Sequence, residues 1–397
     1  MDIIILTMSR WDEPYSSTIF SLAKEFAHRH RVFYIDHPYT IKDFWQANKQ
    51  ANAPHRRKAL LFGNDIFTSL AHLSPNLIAV TPRLTLPINW ANGGVYNFLA
   101  RWNDGSVIAA IRKTIQQYNI KQYLFINSFD PFFAQQLPPD IAPTQYIYQS
   151  TDAMQQGAYV AKHGVKLEQE MMKRADKTLV TSKQLLKYAQ QFSANAHLLP
   201  NAADVALFNQ AVSQHFARPT DLPTTTQPII MYTGNISQSR MDFALLQKIA
   251  QQHPNKQLVC IGPVDSPEHT KYGLDKMPNV TFLPPKTIEQ LPAYLQYAQC
   301  CIIPFLANEL TQSIYPLKIN EYLAAGKPVV TTNFSEDIAD FAHIAHVAQS
   351  HTDFVQAIQT ALDTNTPTLQ QARIALAQSN SWTERAKQLE EIVNYKL

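Results

Sequence analysis

Short, uncharged apolar runs recur along the chain, each followed by residues that are apolar at helical spacing. Ile3 to Leu6, Val32 to Ile35, Leu77 to Val80, Tyr123 to Ile126, Tyr146 to Tyr148, Thr178 to Thr181 and His197 to Leu199 read as buried strands. Ile19, Phe20, Leu22, Ala23, Phe26 and Ala27 form the apolar face of a helix starting at Ser17. Val107, Ile108, Ile111 and Ile115 mark a second helix over Ser106 to Tyr118, and a long helix runs to about Ala175. Strand and helix alternating this way predict a doubly wound parallel sheet.

The pattern then lapses. Arg218 to Pro228 (RPTDLPTTTQP) is rich in Pro and Thr and has no apolar period, as a linker has. A second α/β series follows: strands at Ile229 to Tyr232, Leu258 to Ile261, Val280 to Leu283, Cys300 to Phe305 and Val329 to Thr332, with a helix over Phe243 to Ile249. The tail Ser381 to Val393 is an amphipathic helix opening on a Ser381/Glu384 capping box. This divides the chain into an N-terminal α/β domain (1–205), a linker (206–228), a C-terminal α/β domain (229–380) and a closing helix (381–397) expected to pack back toward the first domain. The fold class is α/β, with two Rossmann-like sheets facing a cleft.

One stretch concentrates the candidate chemistry. Tyr315 to Val330 (YPLKINEYLAAGKPVV) reads as a helix between two parallel strands, with Ser313 near its N-cap, Pro316 in its first turn and Gly326 at its left-handed stop. A helix N-terminus at the C-terminal edge of a parallel sheet is an anion site. Lys318 and Glu321 share one face near that end, either as a solvated intrahelical ion pair or as a cation and a carboxylate addressing one ligand. The chain has 10 glycines, and two of them, Gly234 and Gly262, end successive strands, where a ligand gains close access to backbone. Arg240 lies six residues beyond Gly234. In the first half the useful strand ends carry Arg10, Trp11, Asp12 and Glu13 (in the loop Thr7 to Ser16), Asp130 and Asp152.

Composition narrows the class. A chain of 397 residues, 45% hydrophobic and 16% charged, is globular and long enough for two domains. A net charge of +3 with no basic stripe, zinc-finger spacing or RNP-like motif argues against nucleic acid. The three cysteines, Cys260, Cys300 and Cys301, fall in strands and read as buried packing residues of a reducing setting. The N-terminus reads as a first strand, not a signal peptide, and no run reaches the roughly 18–20 apolar residues of a membrane span. A cytoplasmic location is expected, with the inner face of the membrane as its alternative. The segment His55 to Phe67 (HRRKALLFGNDIF) sets Arg56, Arg57 and Lys58 beside apolar residues, either as a peripheral membrane contact or as a solvated basic turn.

Familiar cofactor motifs are absent: no GxGxxG, no P-loop (Gly326-Lys327 is followed by Pro328), no GxSxG, HExxH or CxxC, and no Asp-x-Asp for a metal-held diphosphate. Neutralising a diphosphate then falls to cationic side chains and helix-end amides, with Arg240 and Lys318 as the pair.

With YTGNISQSR, NVTFLPP, YPLKINEYLAAGKPVV and the SWTERAKQLEEIV helix in place, the chain resembles GT-B glycosyltransferases of the group 1, or family 4, type. LPNAADVALF resembles that family's Pro-Asn-Gly-Val-Asp segment, and teichuronic-acid-type polysaccharide transferases also begin the helix Pro-Leu-Lys. The resemblance implies a nucleotide-sugar donor, UDP- or GDP-linked, held by Glu321 at the ribose, by Arg240, Lys318 and the backbone around Ile314 and Tyr315 at the diphosphate, and by Leu283 and Pro284 near the base. Gly234 and Asn235 with Gly262 would line the floor, with no bound cofactor or metal. The family's second carboxylate is here Ser313, so Thr311, Gln312 and Ser313 are expected to bond the sugar instead. The acceptor, a glycan or lipid-linked glycan in cell-surface polysaccharide synthesis, would sit in the first domain. The family is mostly retaining, with the leaving phosphate taking the acceptor proton; an inverting course would use a carboxylate base, for which Asp152, Asp130 and Asp12 are the candidates. A nucleotide-sugar 2-epimerase and a non-catalytic binding subunit are the alternatives.

Overall fold

A computed structural model describes residues 1–13, 17–47 and 56–393. Pro14 to Ser16 of the first loop and His55 of the basic segment lie outside the described residues. The chain divides into two compact units, 1–199 with 386–397, and 200–385.

The first unit is built on eight strands: β1 (Asp2–Thr7), β2 (Val32–Ile35), β3 (Phe67–Ser69), β4 (Leu77–Val80), β5 (Tyr123–Ser128), β6 (Gln145–Ser150), β7 (Lys177–Val180) and β8 (Ala196–Leu198). Their order is β3-β4-β2-β1-β5-β6-β7-β8, parallel except for β3, which pairs antiparallel with β4. Ile3, Ile4, Ile5 and Leu6 are wholly buried, because helices cover both faces of the sheet. The order reverses between β1 and β5, so the ends of those strands and of β2 surround a switch point, the place where open α/β sheets receive ligands. β3 was invisible to the pattern because a three-residue edge strand, two of its residues exposed, has too little apolar period to detect.

The second unit holds β9 (Ile229–Thr233), β10 (Gln257–Ile261), β11 (Val280–Leu283), β12 (Cys300–Ile303), β13 (Val329–Thr332) and β14 (His346–Ala348), all parallel, in the order β11-β10-β9-β12-β13-β14. Its switch point lies between β9 and β12. Cys260, Cys300 and Cys301 are free and fully buried in this sheet, where desolvation raises their thiol pKa values.

Two boundaries differ from the sequence reading. The segment 206–228 is not a free linker: helix Val205–Ser213, N-capped by Asp204, occupies its beginning and buries Phe208 and Ala211 in the second unit's core. Composition concealed this because the Pro/Thr run starts only at Arg218. The closing helix Trp382–Ile392 straddles the division, with 386–397 in the first unit, where Glu390 pairs with Arg29 and the Val393 carbonyl accepts from Gln145.

Glu168, on the helix Ala158–Arg174, is a buried carboxyl facing β6, where Tyr148 Oη (3.0 Å) and Ser150 Oγ (2.7 Å) donate to its Oε1. Burial raises its pKa to about 7, against the lowering effect of the two hydroxyls. Because the folded-state value lies above the unfolded one, near 4.5, the folded protein holds the extra proton in between, and stability falls as pH rises through that window. Glu168→Gln keeps an acceptor for both hydroxyls and carries no charge. Thermal melts at pH 5 and pH 8 should show the wild type losing stability relative to Glu168→Gln by on the order of 3 kcal/mol. Parallel pH dependence in the two proteins would contradict the assignment.

Candidate functional site

β9 ends at Thr233, and the ladder continues past it through backbone: Gly234 N donates to the Ile261 carbonyl (2.8 Å) and Gly262 N to the Leu283 carbonyl (3.1 Å). Both glycines have positive φ, +133° and +150°. A Cβ on Gly262 would overlap the Gly234 carbonyl, and a Cβ on Gly234 would overlap Cε and crowd Nζ of Lys318. The two glycines therefore let three strand ends and a lysine side chain meet in a space no other residue permits.

Lys318 comes from the helix Leu317–Ala324, whose N-cap is Pro316. Ser313 caps the C-terminal end of the preceding short helix Glu309–Gln312, a correction to the reading that placed it at the N-cap of the longer one. The Thr233 amide donates to Tyr322 Oη (2.8 Å), which fastens the Lys318 helix to the end of β9. Asn201, from LPNAADVALF, donates through Nδ2 to the Tyr315 carbonyl (2.9 Å), and Asn320 Nδ2 reaches Tyr315 Oη (3.2 Å). These bonds hold the turn into the helix, whose first amides have no acceptor within the helix. Gly326, at φ +68°, ends it as the sequence predicts.

Arg240 arrives by another route. Tyr232 Oη donates to the Asn235 carbonyl (2.9 Å), Leu306 N to the Arg240 carbonyl (2.8 Å) and Asn308 Nδ2 to the Ser239 carbonyl (3.0 Å), so the loop after Gly234 is pinned to the end of β12. The Lys318 ammonium is pushed down in pKa chiefly by burial and also by the charge of Arg240, while Glu321 works the other way. Glu321 is pushed up by burial, opposed by Lys318. Among the described residues neither Lys318 nor Arg240 enters an ion pair, so the solvated intrahelical pair is not what forms. Two cations stand at one switch point with Glu321 as a countercharge that acts on Lys318 without pairing to it, an arrangement that a second anion would stabilise.

The other expected donor contacts divide. Ile314 and Tyr315 are buried with their backbone at the helix entry, Leu283 is buried at the end of β11, and Pro284 is exposed beside it. Thr311 and Ser313, expected to bond the sugar, already hold protein partners. Thr311 is fully buried and its hydroxyl bonds the Leu306 carbonyl and Asn308, while Ser313 is 3% exposed and donates to the Leu310 carbonyl (2.7 Å). Short helices bury hydroxyls against their own carbonyls, which residue type alone does not reveal. Gln312 is the exposed member of the three.

In the first unit, Asp12 accepts from Arg56 (3.0 Å), which also reaches Asp36 (3.3 Å) and Tyr39 Oη (3.2 Å). Asp36 is fully buried; desolvation raises its pKa to about 6, opposed first by Arg56. This network engages Asp12 through Arg56, and it corrects one expectation: Arg56, 6% exposed, faces inward rather than toward a membrane. Arg57 and Lys58 do face solvent, beside Phe62. Asp152 is exposed. Asp130 is fully buried and bonds His37 Nδ1 (2.7 Å). His37 escaped the sequence reading, although it lies two residues past β2, at the same kind of strand end that drew attention to Asp130.

Residues 227–364, more than a third of the chain, match the model of glycosyl transferases group 1. The matched residues all lie in the second unit, so it is this unit that is similar to the group 1 glycosyl transferases. Over 159 residues the chain is 27% identical to TuaH of Bacillus subtilis strain 168, named as a teichuronic acid biosynthesis glycosyltransferase. That match covers 39% of this chain and 40% of the relative's own length. Sucrose-phosphate synthase of Thermosynechococcus elongatus superposes over 99% of this chain and 98% of its own, with a TM-score of 0.69 at 18% identity. The α,α-trehalose 6-phosphate synthase of Burkholderia multivorans gives 0.68 at 10% identity, covering 99% and 98%. HepE of Anabaena, solved in complex with UDP, gives 0.65 at 13%, covering 99% and 100%. At these identities the likeness is one of fold, the two-sheet GT-B fold. The switch point of the second unit, with Gly234, Gly262, Arg240 and Lys318, lies within the matched residues. Among the described residues no helix is long and apolar enough to cross a membrane.

Proposed function

We propose that the chain transfers a glycosyl group from a nucleoside diphosphate sugar to a hydroxyl acceptor in the synthesis of a cell-surface glycan. The observation that carries this reading is the Lys318 ammonium lying against Gly234 at the end of β9, in the field of Arg240 and with no ion-pair partner among the described residues. A diphosphate seated there meets two cations and the first amides of the Lys318 helix. Glu321, one turn along, accepts from the ribose hydroxyls, and Leu283 and Pro284 flank the base.

In the reaction the anomeric carbon's bond to the diphosphate oxygen breaks and the electron pair leaves with the diphosphate. The acceptor oxygen bonds to the same carbon and gives up its proton. Lys318 and Arg240 stabilise the charge growing on the leaving oxygens, and they require no reorganisation because the fold already holds them. The reading needs no metal. Retention, with a phosphate oxygen taking the acceptor proton, is supported by the resemblance to a mostly retaining family. The teichuronic acid relative supports a polysaccharide product, and the UDP-bound neighbour supports a uridine donor.

Thermal melts with UDP and with GDP test the donor site. A nucleotide at about 100 times its Kd should raise stability by about 2.7 kcal/mol. No shift with either would overturn the reading. Nucleoside diphosphate release from the matching sugar donor separates an enzyme from a non-catalytic binding subunit, which would be stabilised but release nothing.

A further inference from the structure

The helix Gly93–Gln117 carries apolar side chains on two faces, and the core of the first unit takes up one of them. Val107, Ala110 and Ile111 lie in that core, and Tyr96 and Asn103, earlier on the same side of the helix, are buried as well. Val95, Phe98 and Trp102 recur at i, i+3 and i+7, which sets them in one line along the other side. They are 56%, 70% and 69% exposed. Aromatic side chains left in water forgo the free energy their burial would supply, and nothing in the described part of this unit covers them.

Two further aromatics extend the patch. Trp90 and Tyr159 are each 70% exposed. Hydrogen bonds bring them together: Lys162 Nζ donates to the carbonyls of Asn89 (2.7 Å) and Trp90 (3.3 Å), and Asn89 Nδ2 donates to the Tyr159 carbonyl (3.1 Å). The Tyr96 and His163 rings, stacked at 3.8 Å, clamp the start of the helix Ala158–Arg174 against the start of Gly93–Gln117. Buried Asn103 bonds both the amide (2.8 Å) and the carbonyl (2.9 Å) of Leu86, which ties down the segment leading to Trp90. The aromatics are thus displayed on a hydrogen-bonded frame.

The charge around them has one sign. Arg101, Lys162 and Lys166 are exposed, and neither 86–103 nor 153–167 contains an acidic residue. Asp104 and Glu168, which follow those segments, are engaged inward: Asp104 accepts from the Ala134 amide (2.6 Å) and Glu168 from the two β6 hydroxyls. Among the described residues Arg101 and Lys162 enter no ion pair. The basic turn at 56–58 differs, because there Lys58 has a countercharge in Asp65 (3.3 Å).

Exposed Trp, Phe and Tyr bordered by unpaired cations on long apolar stems match the two layers of a bilayer surface, anionic headgroups above and acyl chains below. A second copy of this chain matches poorly, since a symmetric contact over the patch would bring two faces of like charge together. We infer that the face formed by Trp90, Val95, Phe98, Trp102 and Tyr159 docks the protein on a bilayer that carries anionic lipids, with the first turns of the helix Gly93–Gln117 in the interface plane and Arg101 and Lys162 among the headgroups. The inference stands apart from the donor reading and places the contact on a different surface from the 55–67 segment.

Phosphatidylcholine vesicles with and without phosphatidylglycerol are the probe, and co-sedimentation and tryptophan fluorescence of the full chain follow binding. Phosphatidylglycerol should tighten binding by about tenfold or more, with a blue-shifted emission, and added salt should shrink the difference. Phe98→Ser with Trp102→Ser should weaken binding by about tenfold or more, the loss of two large apolar side chains. Arg101→Gln should weaken binding to the anionic vesicles about fivefold and leave binding to phosphatidylcholine alone unchanged. These positions are exposed, so the variants should keep the wild-type melting temperature, which shows that they are folded. Trp90→Phe with Trp102→Phe should retain binding and lose the blue shift, which assigns the signal to this face and not to exposed Trp45. No binding to anionic vesicles, binding that survives Phe98→Ser with Trp102→Ser, or a blue shift that survives the loss of Trp90 and Trp102 would overturn the inference. Concentration-dependent dimerisation without lipid, removed by Phe98→Ser with Trp102→Ser, would assign the face to a second copy and overturn it equally.

Discussion

Lys318→Ala should lower the kcat/KM of glycosyl transfer about 100-fold while leaving the melting temperature unchanged or slightly higher. The first half follows from the position of the ammonium. It lies against Gly234, where no side chain separates it from a ligand, and it acts with Arg240 on oxygens that gain charge as the diphosphate departs. Removing one preorganised stabilising group of this kind costs about 10²- to 10³-fold. The second half follows from its surroundings. Burial lowers the pKa of Lys318, so the ligand-free fold carries a charge it only partly solvates; deleting that charge relieves this cost and gives up the support that Lys318 lends the Glu321 carboxylate, so the two changes offset. The two halves are measured by donor turnover and a thermal melt. A variant with unchanged kcat/KM would remove Lys318 from the diphosphate site, and one with lost activity and a collapsed melting temperature would make it a structural residue instead.

Gly262→Ala should destabilise the second unit by about 3 kcal/mol and abolish nucleotide-dependent stabilisation. The added methyl would overlap the carbonyl of Gly234, and backbone cannot swing aside as the end of a flexible side chain does. Its φ of +150° is a further penalty for any L side chain. Relief requires Gly234 to move, and with it the surface on which Lys318 rests. Gly105→Ala is the control: Gly105 lies inside the helix Gly93–Gln117 with nothing within 4 Å of its Cβ position, so alanine should stabilise by roughly 0.5–1 kcal/mol. Denaturant melts with and without UDP compare the two, and equal effects would show that the Gly262–Gly234 approach is not a constraint.

These contrasts mark how far the sequence could be read. Gly234 and Gly262 were legible because each closes an uncharged apolar run, and glycine after a buried strand is informative by position. Asn201 stood in a quoted motif without a role, since its partner, the Tyr315 carbonyl, is more than 100 residues away and a distant backbone acceptor leaves no trace in local pattern. Arg56 misled because a run of basic residues resembles a solvated face. Only tertiary contact with Asp12, Asp36 and Tyr39 turns its guanidinium inward. For Thr311 and Ser313 residue type suggested a sugar contact, and only the fold shows that their hydroxyls already bond the Leu306 and Leu310 carbonyls.

The sequence by itself determined the alternation of strand and helix, two parallel sheets, and the cluster of Gly234, Gly262, Arg240, Lys318 and Glu321 as the place to look. Periodicity and strand-end position are local properties, and they survive in a linear text. The tertiary structure decided that Lys318 and Glu321 form no ion pair among the described residues although each still favours the other's charge, that the boundary helix Val205–Ser213 belongs to the second unit's core, and that His37 rather than an open carboxylate is what Asp130 presents. Each of those depends on which charged or polar groups meet after the chain has closed on itself, and the free energy of a buried charge is set by its neighbours in space, not by its neighbours in sequence.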